Sequence, residues 1–382
     1  MMDLTSLADF GLAWLEASGP HADIVLSTRV RLARNLQGQL FPTRARVEDR
    51  EQVYAQVRQA AARTDTLQGG AALDLAALRP LSRRILLERH LVSRELAGTD
   101  SEPPARGAGL FLGPRETIGV MINEEDHLRL QCLLSGLRLQ EAFSRVDRLD
   151  DELGALLPIA YHHEAGYLTS CPTNVGTGLR ASVLIHLPGL VLTKEIGKVL
   201  QGISQVGLTF RGLYGEGSEV VGNFFQISNQ TTLGKSEEDL IDHLQKIVGQ
   251  VIQYEVQARN VLMRDAPMVI EDKIWRAYGL LRFARSLSFS EVMNLLSGLR
   301  LGVSMNLLPG LRVYTLNKIM IYAQSAYLEQ AAGRNLTETE ADVHRAGYVR
   351  QVLSNEGDVR SDGSATGGMG EKQRCEPAAD RK

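Results

Sequence analysis

Two arginines separated by one residue, Arg29 and Arg31, lie early in the chain within the segment Ser27–Arg34. Alternate residues of an extended strand point to the same face, so we expect both guanidinium groups on one face, roughly 6–7 Å apart. Two planar sets of donors at that separation can bind neighbouring phosphate groups. The alternative is a solvated basic strand without a ligand.

Three consecutive acids, Glu124, Glu125 and Asp126, follow an apolar segment and precede Arg129. We expect them to begin an amphipathic helix, since the helix dipole favours acids at the N-terminus. In the functional interpretation one carboxylate orients a cationic substrate, while Arg129 faces phosphate groups. In the alternative, the acids only stabilise the start of the helix.

Two glycine-containing loops carry further reactive side chains. The loop from Cys171 to Arg180 has small residues and hydroxyls, so it can approach a ligand closely and offer backbone N–H groups. Its thiol becomes reactive if a nearby cation lowers the thiol pKa; otherwise it is a small buried apolar group. The second loop, from Arg211 to Ser218, places glycines around Glu216, which could hold a carboxylate over a substrate or form a simple hairpin turn.

Two nucleotide-binding patterns are present only in part. Gly234–Ser236 resembles the end of a P-loop, but the first glycine of that motif would fall at Asn229. Gly176–Ala181 matches the glycine pattern of a dinucleotide fold. Because residues 181–187 are predicted to form a strand rather than a phosphate-capping helix, we reject that interpretation.

The elements that would position these residues form a β-rich region followed by a helical one. Strands in runs, with hairpin signals and intervening helices, favour an α+β fold with an antiparallel sheet covered by helices. We predict helices at 3–17, 47–63 and 193–205, and extended segments at 85–87, 91–92, 110–112, 118–122, 166–170, 181–187, 207–211 and 219–228.

After about residue 235 the strand signal ends and helical periodicity takes over. Ser236 with Asp239, and Thr337 with Glu340, have the spacing of capping boxes. Residues 355–382 contain almost no apolar side chains and are predicted to be disordered. We predict helices at 236–263, 270–285, 289–299, 312–331 and 338–353, and three regions: a catalytic domain at 1–255, an all-helical domain at 256–354 and a tail at 355–382.

The composition excludes several classes of protein. The net charge of −3, from 42 basic and 45 acidic residues, argues against a general nucleic-acid binder. The three cysteines are scattered and lack the spacing of a metal site or disulfide framework. No signal peptide and no apolar run of about 18–20 residues is present, so we expect a cytoplasmic protein that binds neither nucleic acid nor membrane.

Four segments together closely resemble the guanidino (phosphagen) kinase family, in the family's order: Ser27–Arg34, Asn123–Gln131, Tyr167–Pro188 and Gly207–Leu233. The resemblance implies a glutamine-synthetase-like antiparallel sheet and transfer of the γ-phosphoryl group from ATP, with Mg²⁺, to a guanidinium group. The N-terminal helical domain of phosphagen kinases is missing and a helical C-terminal region is added, as in the bacterial protein arginine kinase branch. The open guanidine pocket expected from that difference favours protein-bound arginine as the acceptor.

The resemblance also implies roles for individual residues. Glu125 and Glu216 would hold the guanidinium, with Glu125 as the base, and Glu124 and Cys171 would complete the catalytic group. Five arginines would form the phosphate cage: Arg29, Arg31, Arg129, Arg180 and Arg211. The wider ATP site would comprise Ser27, Thr28, Arg29, Val30, Arg31, His90, Arg129, Arg180, Ala181, Ser182, Val183, Leu184, Arg211, Gly212, Leu213, Tyr214, Gly215 and Glu216, and no protein residue is expected to bind metal.

A phosphoarginine-binding motif of the family is incomplete in this chain. Asp342 and Arg345 match it, but Ala341 stands where the motif has its first arginine. One phosphate-binding group is therefore missing from the implied pocket.

The resemblance further implies partners, namely a heat-shock repressor and misfolded proteins as substrates, an activator protein and a Clp protease. Homodimerisation through the helical region is expected from the same resemblance. Two alternatives remain: a kinase for free arginine, and a catalytically inactive adaptor that binds partners through residues 256–353. The filled catalytic positions favour the kinase.

Overall fold

The computed structural model describes residues 12–99, 101–212 and 221–356. Its centre is an eight-stranded sheet in which all neighbouring strands are antiparallel. The strands are β1 (Val25–Arg34), β2 (Ala71–Asp74), β3 (Gly109–Leu112), β4 (Ile118–Ile122), β5 (Leu128–Ser135), β8 (Leu179–His186), β9 (Leu208–Arg211) and β10 (Phe224–Asn229), in the order β2-β3-β4-β5-β1-β8-β10-β9. The short strands β6 (Tyr161–His162) and β7 (Gly166–Tyr167) form a separate hairpin.

One face of the sheet forms the main apolar core. Val30 and Val183 point into this core, where helices α4 (Leu139–Gly154) and α7 (Glu237–Asp265) cover the sheet. Helix α4 buries residues that recur every three or four positions, so one stripe of the helix faces the strands. Each large apolar side chain buried here contributes about 1.5–3 kcal/mol to folding.

The opposite face of the sheet is covered in part by the C-terminal helices. Leu133 and Phe224 from the sheet belong to the same apolar cluster as the helical region. The buried Arg300 adds polar contacts, because its guanidinium donates to the backbone oxygens of Ala22 and Asp23 and to the side chain of Asn317. The helices are α8 (Pro267–Phe283), α9 (Phe289–Ser304), α10 (Val313–Tyr322), α11 (Ser325–Ala332) and α12 (Glu338–Asn355).

The remaining helices are α1 (Val47–Ala61), α2 (Pro80–Glu88), α3 (Arg94–Ala97), α5 (Pro188–Leu192) and α6 (Ile196–Gln205). Both predicted capping boxes are present, at the starts of α7 and α12. Helix α7 crosses the predicted domain boundary at residue 256. It packs on the sheet core up to Ala258, and from Leu262 it contacts the helical cluster.

Three local predictions are wrong. The predicted extended segment 91–92 forms a bend between α2 and α3 and belongs to no strand. The segment 85–87 is helical, because Pro80 begins α2 and a short apolar run does not distinguish a strand from a helix. The acids at 124–126 lie in a turn and not in a helix, since Asn123 has a positive φ of 55° and the chain re-enters the sheet at Leu128.

Several boundaries also differ from the predictions. The strand predicted at 166–170 is restricted to Gly166–Tyr167, and the last strand begins only at Phe224. The helix predicted at 312–331 is divided between α10 and α11 at residues 323–324. In the predicted helix 3–17, residues 3–11 lie outside the described residues, and Ala13–Leu15 forms a single 3₁₀ turn. The predicted tail lies outside them from residue 357 onwards.

No helix among the described residues has the length and apolar content that a membrane span requires.

Candidate active site

The strand register brings Arg29, Arg31 and Arg180 to one face of the sheet. Arg29 and Arg31 alternate along β1, and Arg180 of β8 lies directly opposite Arg31. Directly opposed residues of antiparallel strands share a face, so the three side chains point the same way.

Two further arginines reach this face from β5 and β9. On the other side of β1, Gln131 of β5 lies opposite Arg31 and therefore shares its face. Arg129 is two residues before Gln131 in the same strand, so its side chain points to that face as well. At the other edge, Arg211 lies opposite Gln226 of β10, whose amide oxygen accepts a hydrogen bond of 3.4 Å from Arg29. The five predicted arginines therefore lie on one face, although they come from four strands.

A cavity of about 900 Å³ opens over this face. All five arginines line it, together with Glu124, Glu125, Glu88 and His90. The helical region contributes part of the wall through Phe289, Gln324 and Ser325. Its volume falls in the range that small-molecule ligands occupy in proteins.

The arginine cluster is strongly electropositive. Burial, followed by repulsion from Arg129 and Arg180, lowers the pKa of Arg29 to about 10. Burial also lowers the pKa of Arg31, and the charges of the three neighbouring arginines add to the effect. Among the described residues, the Nε of Arg31 is buried without a hydrogen-bond partner. Cations that are crowded together in this way fit a polyanion such as a triphosphate.

Glu124 partly balances this charge. Burial would raise the pKa of its carboxyl, but an ion pair with Arg129 and a hydrogen bond from Ser93 lower that pKa below its ordinary value. Glu124 therefore remains ionised and fixes the position of Arg129.

Glu125 lies at the solvent-accessible edge of the same cavity. Partial burial, followed by the charges of Asp126 and Glu124, raises the pKa of its carboxyl above the ordinary value. A hydrogen bond with the Cys171 side chain opposes that rise. The Cys171 sulfur lies 3.0 Å from the hydroxyl of Thr173. A carboxylate with a raised pKa is suited to act as a general base.

Asp126 connects the acidic turn at 124–126 to the loop that carries Cys171. Its carboxylate accepts hydrogen bonds of 2.6 Å from the side chain of Asn35 and from the backbone N–H of Ser170, next to Cys171. The side-chain oxygen of Asn35 accepts from the backbone N–H of His127 at 2.9 Å. Asp126 is buried and belongs to the framework rather than to the cavity wall.

A smaller cavity adjoins the arginine cluster through Arg29, His90 and Gln226. Burial, with repulsion from Arg29, lowers the pKa of His90 to about 3, so its ring is neutral. The ring meets that of Trp14 edge to face, with centroids 5.6 Å apart. Ser27, Ser182 and Leu184 complete the wall with Leu133.

Trp14 was missed in the sequence because it belongs to none of the four motifs. The only feature of the sequence that singles it out is the rarity of tryptophan, which occurs twice in the chain. The indole is buried, and its N–H has no hydrogen-bond partner among the described residues.

Some residues predicted for the ATP site point elsewhere. The side chains of Val30, Ala181 and Val183 are buried in the main core on the opposite face of the sheet. The hydroxyl of Thr28 donates to the backbone oxygen of Gly136 at 2.7 Å. Gly212 ends a described segment beside the cavity residue Arg211, and Leu213, Tyr214, Gly215 and Glu216 lie outside the described residues.

The two residues of the incomplete phosphoarginine motif are engaged with each other and with backbone. The guanidinium of Arg345 is buried and donates to the backbone oxygens of Ala323 at 2.8 Å and Leu287 at 2.9 Å, and to the carboxylate of Asp342. These contacts tie α12 to the α10–α11 connection.

Comparison with known proteins agrees with this geometry. The profile of the ATP:guanido phosphotransferase C-terminal catalytic domain matches residues 52–258. Among solved structures, the fold is similar to a taurocyamine kinase from Schistosoma mansoni, with a TM-score of 0.57 and 29% identity over 63% of this chain and 34% of that duplicated chain. A lombricine kinase has a TM-score of 0.55 and 25% identity, covering 63% of this chain and 70% of the other. Fold and site thus define an ATP-dependent guanidino phosphotransferase.

The helical C-terminal region shows which group of guanidino phosphotransferases the chain belongs to. The profile of the protein-arginine kinase McsB C-terminal domain matches residues 267–363. A protein-arginine kinase of Pelotomaculum thermopropionicum is 48% identical over 90% of this chain and 96% of its own length. A protein-arginine kinase of Moorella thermoacetica is 46% identical over 89% of this chain and 97% of its own length. The chain belongs to the protein-arginine kinase family.

Proposed function

We propose that this protein transfers the γ-phosphoryl group of ATP to the guanidinium group of arginine residues in other proteins. The observation that carries the proposal is the position of Glu125. This carboxylate is accessible to solvent and lies in the same cavity as five converging arginines. The arginine side chain of a protein substrate can contact Glu125 while ATP binds to the five arginines.

The arginine cluster would bind the triphosphate. Phosphoryl transfer passes through a loose transition state in which charge spreads over the equatorial oxygens, so fixed positive charges and in-line positioning supply most of the catalysis. Arg31 and Arg180, directly opposed on the sheet, would contact the phosphates from neighbouring strands. Arg129, held by Glu124, would add a third cation of fixed orientation.

Glu125 would activate the acceptor. A guanidinium is a poor nucleophile because its nitrogen lone pairs are delocalised over a cation whose pKa exceeds about 12. As a guanidinium nitrogen forms its bond to the γ-phosphorus and the bond to the ADP oxygen breaks, the Glu125 carboxylate takes up the proton from that nitrogen. Cys171, hydrogen-bonded to Glu125, would orient the carboxylate and contact the acceptor.

Glu216 remains the predicted second carboxylate for the guanidinium. Two carboxylates would fix the plane of the guanidinium and so favour a near-attack geometry, which can contribute roughly 7–11 kcal/mol to catalysis. Glu216 lies outside the described residues, and in the sequence it follows Arg211, which lines the cavity.

Mg²⁺ would enter as the complex with ATP. No group of three or more His, Cys, Asp or Glu side chains among the described residues could hold a metal ion. We propose that phosphate oxygens provide its ligands, where the ion would neutralise charge on the β- and γ-phosphates.

Incubation with Mg·ATP, a folded protein substrate and free arginine tests the proposal. We expect acid-labile phosphoarginine on the protein, identified by mass spectrometry, and its loss in Glu125→Ala. Phosphorylation of free arginine alone would instead support the second candidate, a small-molecule guanidino kinase. That candidate is suggested by the structural similarity to taurocyamine and lombricine kinases.

We also propose the finer biological setting that the family relationship suggests. The substrates would include a heat-shock repressor and misfolded proteins, an activator protein would stimulate the kinase, and a Clp protease would degrade the marked proteins. The helical region at 256–354 would form a separate domain that mediates homodimerisation, with its boundary inside α7. Co-purification of phosphoarginine-containing proteins with an inactive Clp protease, only when the kinase is active, tests the delivery step.

A further inference from the structure

Helix α2 connects the nucleotide side of the cavity to the C-terminal helices. Its last turn leads directly into His90, and its outer surface packs on α11. Three consecutive contacts join the two helices, although they are more than 230 residues apart in the sequence.

The first contact is an ion pair at the middle of α2. Two guanidinium nitrogens of Arg84 donate to the two carboxylate oxygens of Glu329, at 2.9 Å and 3.1 Å. The paired geometry fixes orientation as well as distance. Glu329 is almost fully buried, and Arg84 is about one-third exposed.

The second contact is at the start of α11. A carboxylate oxygen of Glu88 accepts the backbone N–H of Ala326 at 2.9 Å. This contact satisfies one of the N–H groups that a helix leaves unpaired in its first turn. The side chain of Gln324 donates to the backbone oxygen of Glu88 at 3.5 Å, which adds a weaker link.

The third contact is fully buried. Arg89 donates to the Tyr327 hydroxyl at 2.9 Å through one terminal nitrogen. Its Nε and other terminal nitrogen donate to the Glu116 carboxylate at 3.0 Å and 2.7 Å. Arg89 also forms a hydrogen bond with the side chain of Tyr322. It is inaccessible to solvent, so its donors depend on these protein acceptors and not on water.

His90 follows directly and has a left-handed backbone, with φ of 60°. That conformation costs a non-glycine residue free energy and persists only where its surroundings hold it. Trp14 contacts its ring on one side, while Arg89 and Glu88 anchor the preceding residues to α11. The residues that precede His90 are thus attached to the helical region, and the His90 side chain lines both cavities.

We propose that α11 positions the nucleotide site, with Tyr327 and Glu329 as positioning residues that act through α2 on His90. ATP affinity is then set in part by the C-terminal helices, although these residues do not contact the phosphates. The proposal rests on the proposed function, because it assigns the cavity of about 900 Å³, which His90 also lines, to ATP.

The test uses the full-length protein with Tyr327→Phe, which removes the hydroxyl acceptor and keeps the ring. A hydrogen bond to a buried charge is lost, so we expect the KM for ATP, and the Kd for Mg·ATP by titration calorimetry, to rise about three- to tenfold. The kcat at saturating ATP and the KM for the protein substrate should stay within about twofold of the wild-type values. Tyr278→Phe, on α8 beside Trp275, is the matched control and should change neither constant.

If Tyr327→Phe does not fold, reversing the charges of the Arg84–Glu329 ion pair provides a second test. Glu329→Arg should raise the KM for ATP, and the added Arg84→Glu should restore it by rebuilding the ion pair in reverse. An unchanged KM in Tyr327→Phe, or in Glu329→Arg, overturns the proposal, and so does a fall in kcat without a change in KM. Wild-type activity in the same assays tests the proposed function separately, since an inactive wild type that binds Mg·ATP would refute only the kinase assignment.

Discussion

Arg31 and Arg180 lie directly opposite each other on the neighbouring antiparallel strands β1 and β8. Like charges at such a cross-strand pair destabilise a sheet. Burial is the main cause that lowers the pKa of Arg31, and repulsion from Arg29, Arg129 and Arg180 lowers that pKa further. A bound polyanion would relieve this repulsion, so the unfavourable arrangement supports the proposal that phosphate groups bind here.

Replacing Arg31 with glutamine should separate binding from stability. Arg31→Gln removes a phosphate-binding cation, so we expect kcat/KM for ATP to fall at least about 100-fold. The melting temperature without nucleotide should not fall, since the repulsion is reduced, and the rise in melting temperature on adding Mg·ATP should shrink. Arg145→Gln, which replaces an exposed arginine paired with Glu141, is the control. Wild-type kcat/KM in Arg31→Gln would contradict the assignment.

Glu125→Gln should remove the proposed base without removing the ATP site. We expect kcat to fall by about 10²–10⁴ while the Kd for Mg·ATP stays near the wild-type value. In the wild type, kcat/KM for the protein substrate should decline as pH falls through the raised pKa of Glu125, because the protonated carboxyl no longer accepts a proton. Glu141→Gln on the surface of α4 should behave as wild type. A kcat for Glu125→Gln within tenfold of wild type would exclude Glu125 as the base.

Cys171 should affect the acceptor more than ATP. Cys171→Ala removes the side-chain contact with Glu125, so we expect the KM for the protein substrate to rise about three- to tenfold. Cys171→Ser retains a hydrogen-bonding side chain and should lie between Cys171→Ala and wild type. The KM for ATP serves as the internal control. A rise confined to the KM for ATP would place Cys171 on the nucleotide side instead.

Glu88 should make stability depend on pH. Burial is the main cause that raises its pKa to about 7; Arg84 opposes the rise and Glu329 adds to it. The unfolded carboxyl titrates near 4.5, so the folded protein binds the extra proton between about pH 4.5 and 7. The free energy of unfolding therefore falls across that window as pH increases, and the loss is complete above pH 7.

Glu88→Gln lacks this titration. We expect the loss of unfolding free energy between pH 5 and pH 8 to be smaller in the variant by roughly 2 kcal/mol, measured by urea denaturation. Other carboxyl groups contribute equally to both proteins and cancel in the comparison. Equal losses in wild type and variant would show that Glu88 does not titrate in this window.

Arg34 belongs to the same sequence segment as Arg29 and Arg31, but its contacts are structural. It forms a buried ion pair with Asp150, with a nitrogen–oxygen distance of 2.7 Å, and lies 3.4 Å above the ring of Tyr167. Asp150→Ala would leave this arginine buried and unpaired, so we expect a loss of about 3–5 kcal/mol in unfolding free energy. Asp151→Ala, at an exposed neighbouring position, is the control. A loss below about 1 kcal/mol in Asp150→Ala would contradict the structural role.

The sequence was most informative where local pattern and chemistry coincide. The alternation of Arg29 and Arg31 along a strand predicted their shared face, and the capping-box spacings at Ser236 and Thr337 predicted the starts of α7 and α12. It was misleading at 85–87, where a short apolar run forms a helix. It was also misleading at Glu124 and Glu125, where the acids occupy a turn that is held by long-range hydrogen bonds of Asp126.

By itself, then, the sequence determined the residue types of the site, the α+β class and the helical C-terminal region, because these depend on composition, periodicity and contiguous motifs. The family resemblance implied that Arg129, Arg180 and Arg211 cluster with Arg31, but only the tertiary structure decided how they reach one face, since strand register is fixed by pairing between distant segments. It also decided that α11 holds α2 beside His90, because contacts across more than 230 residues arise from packing and leave no local pattern.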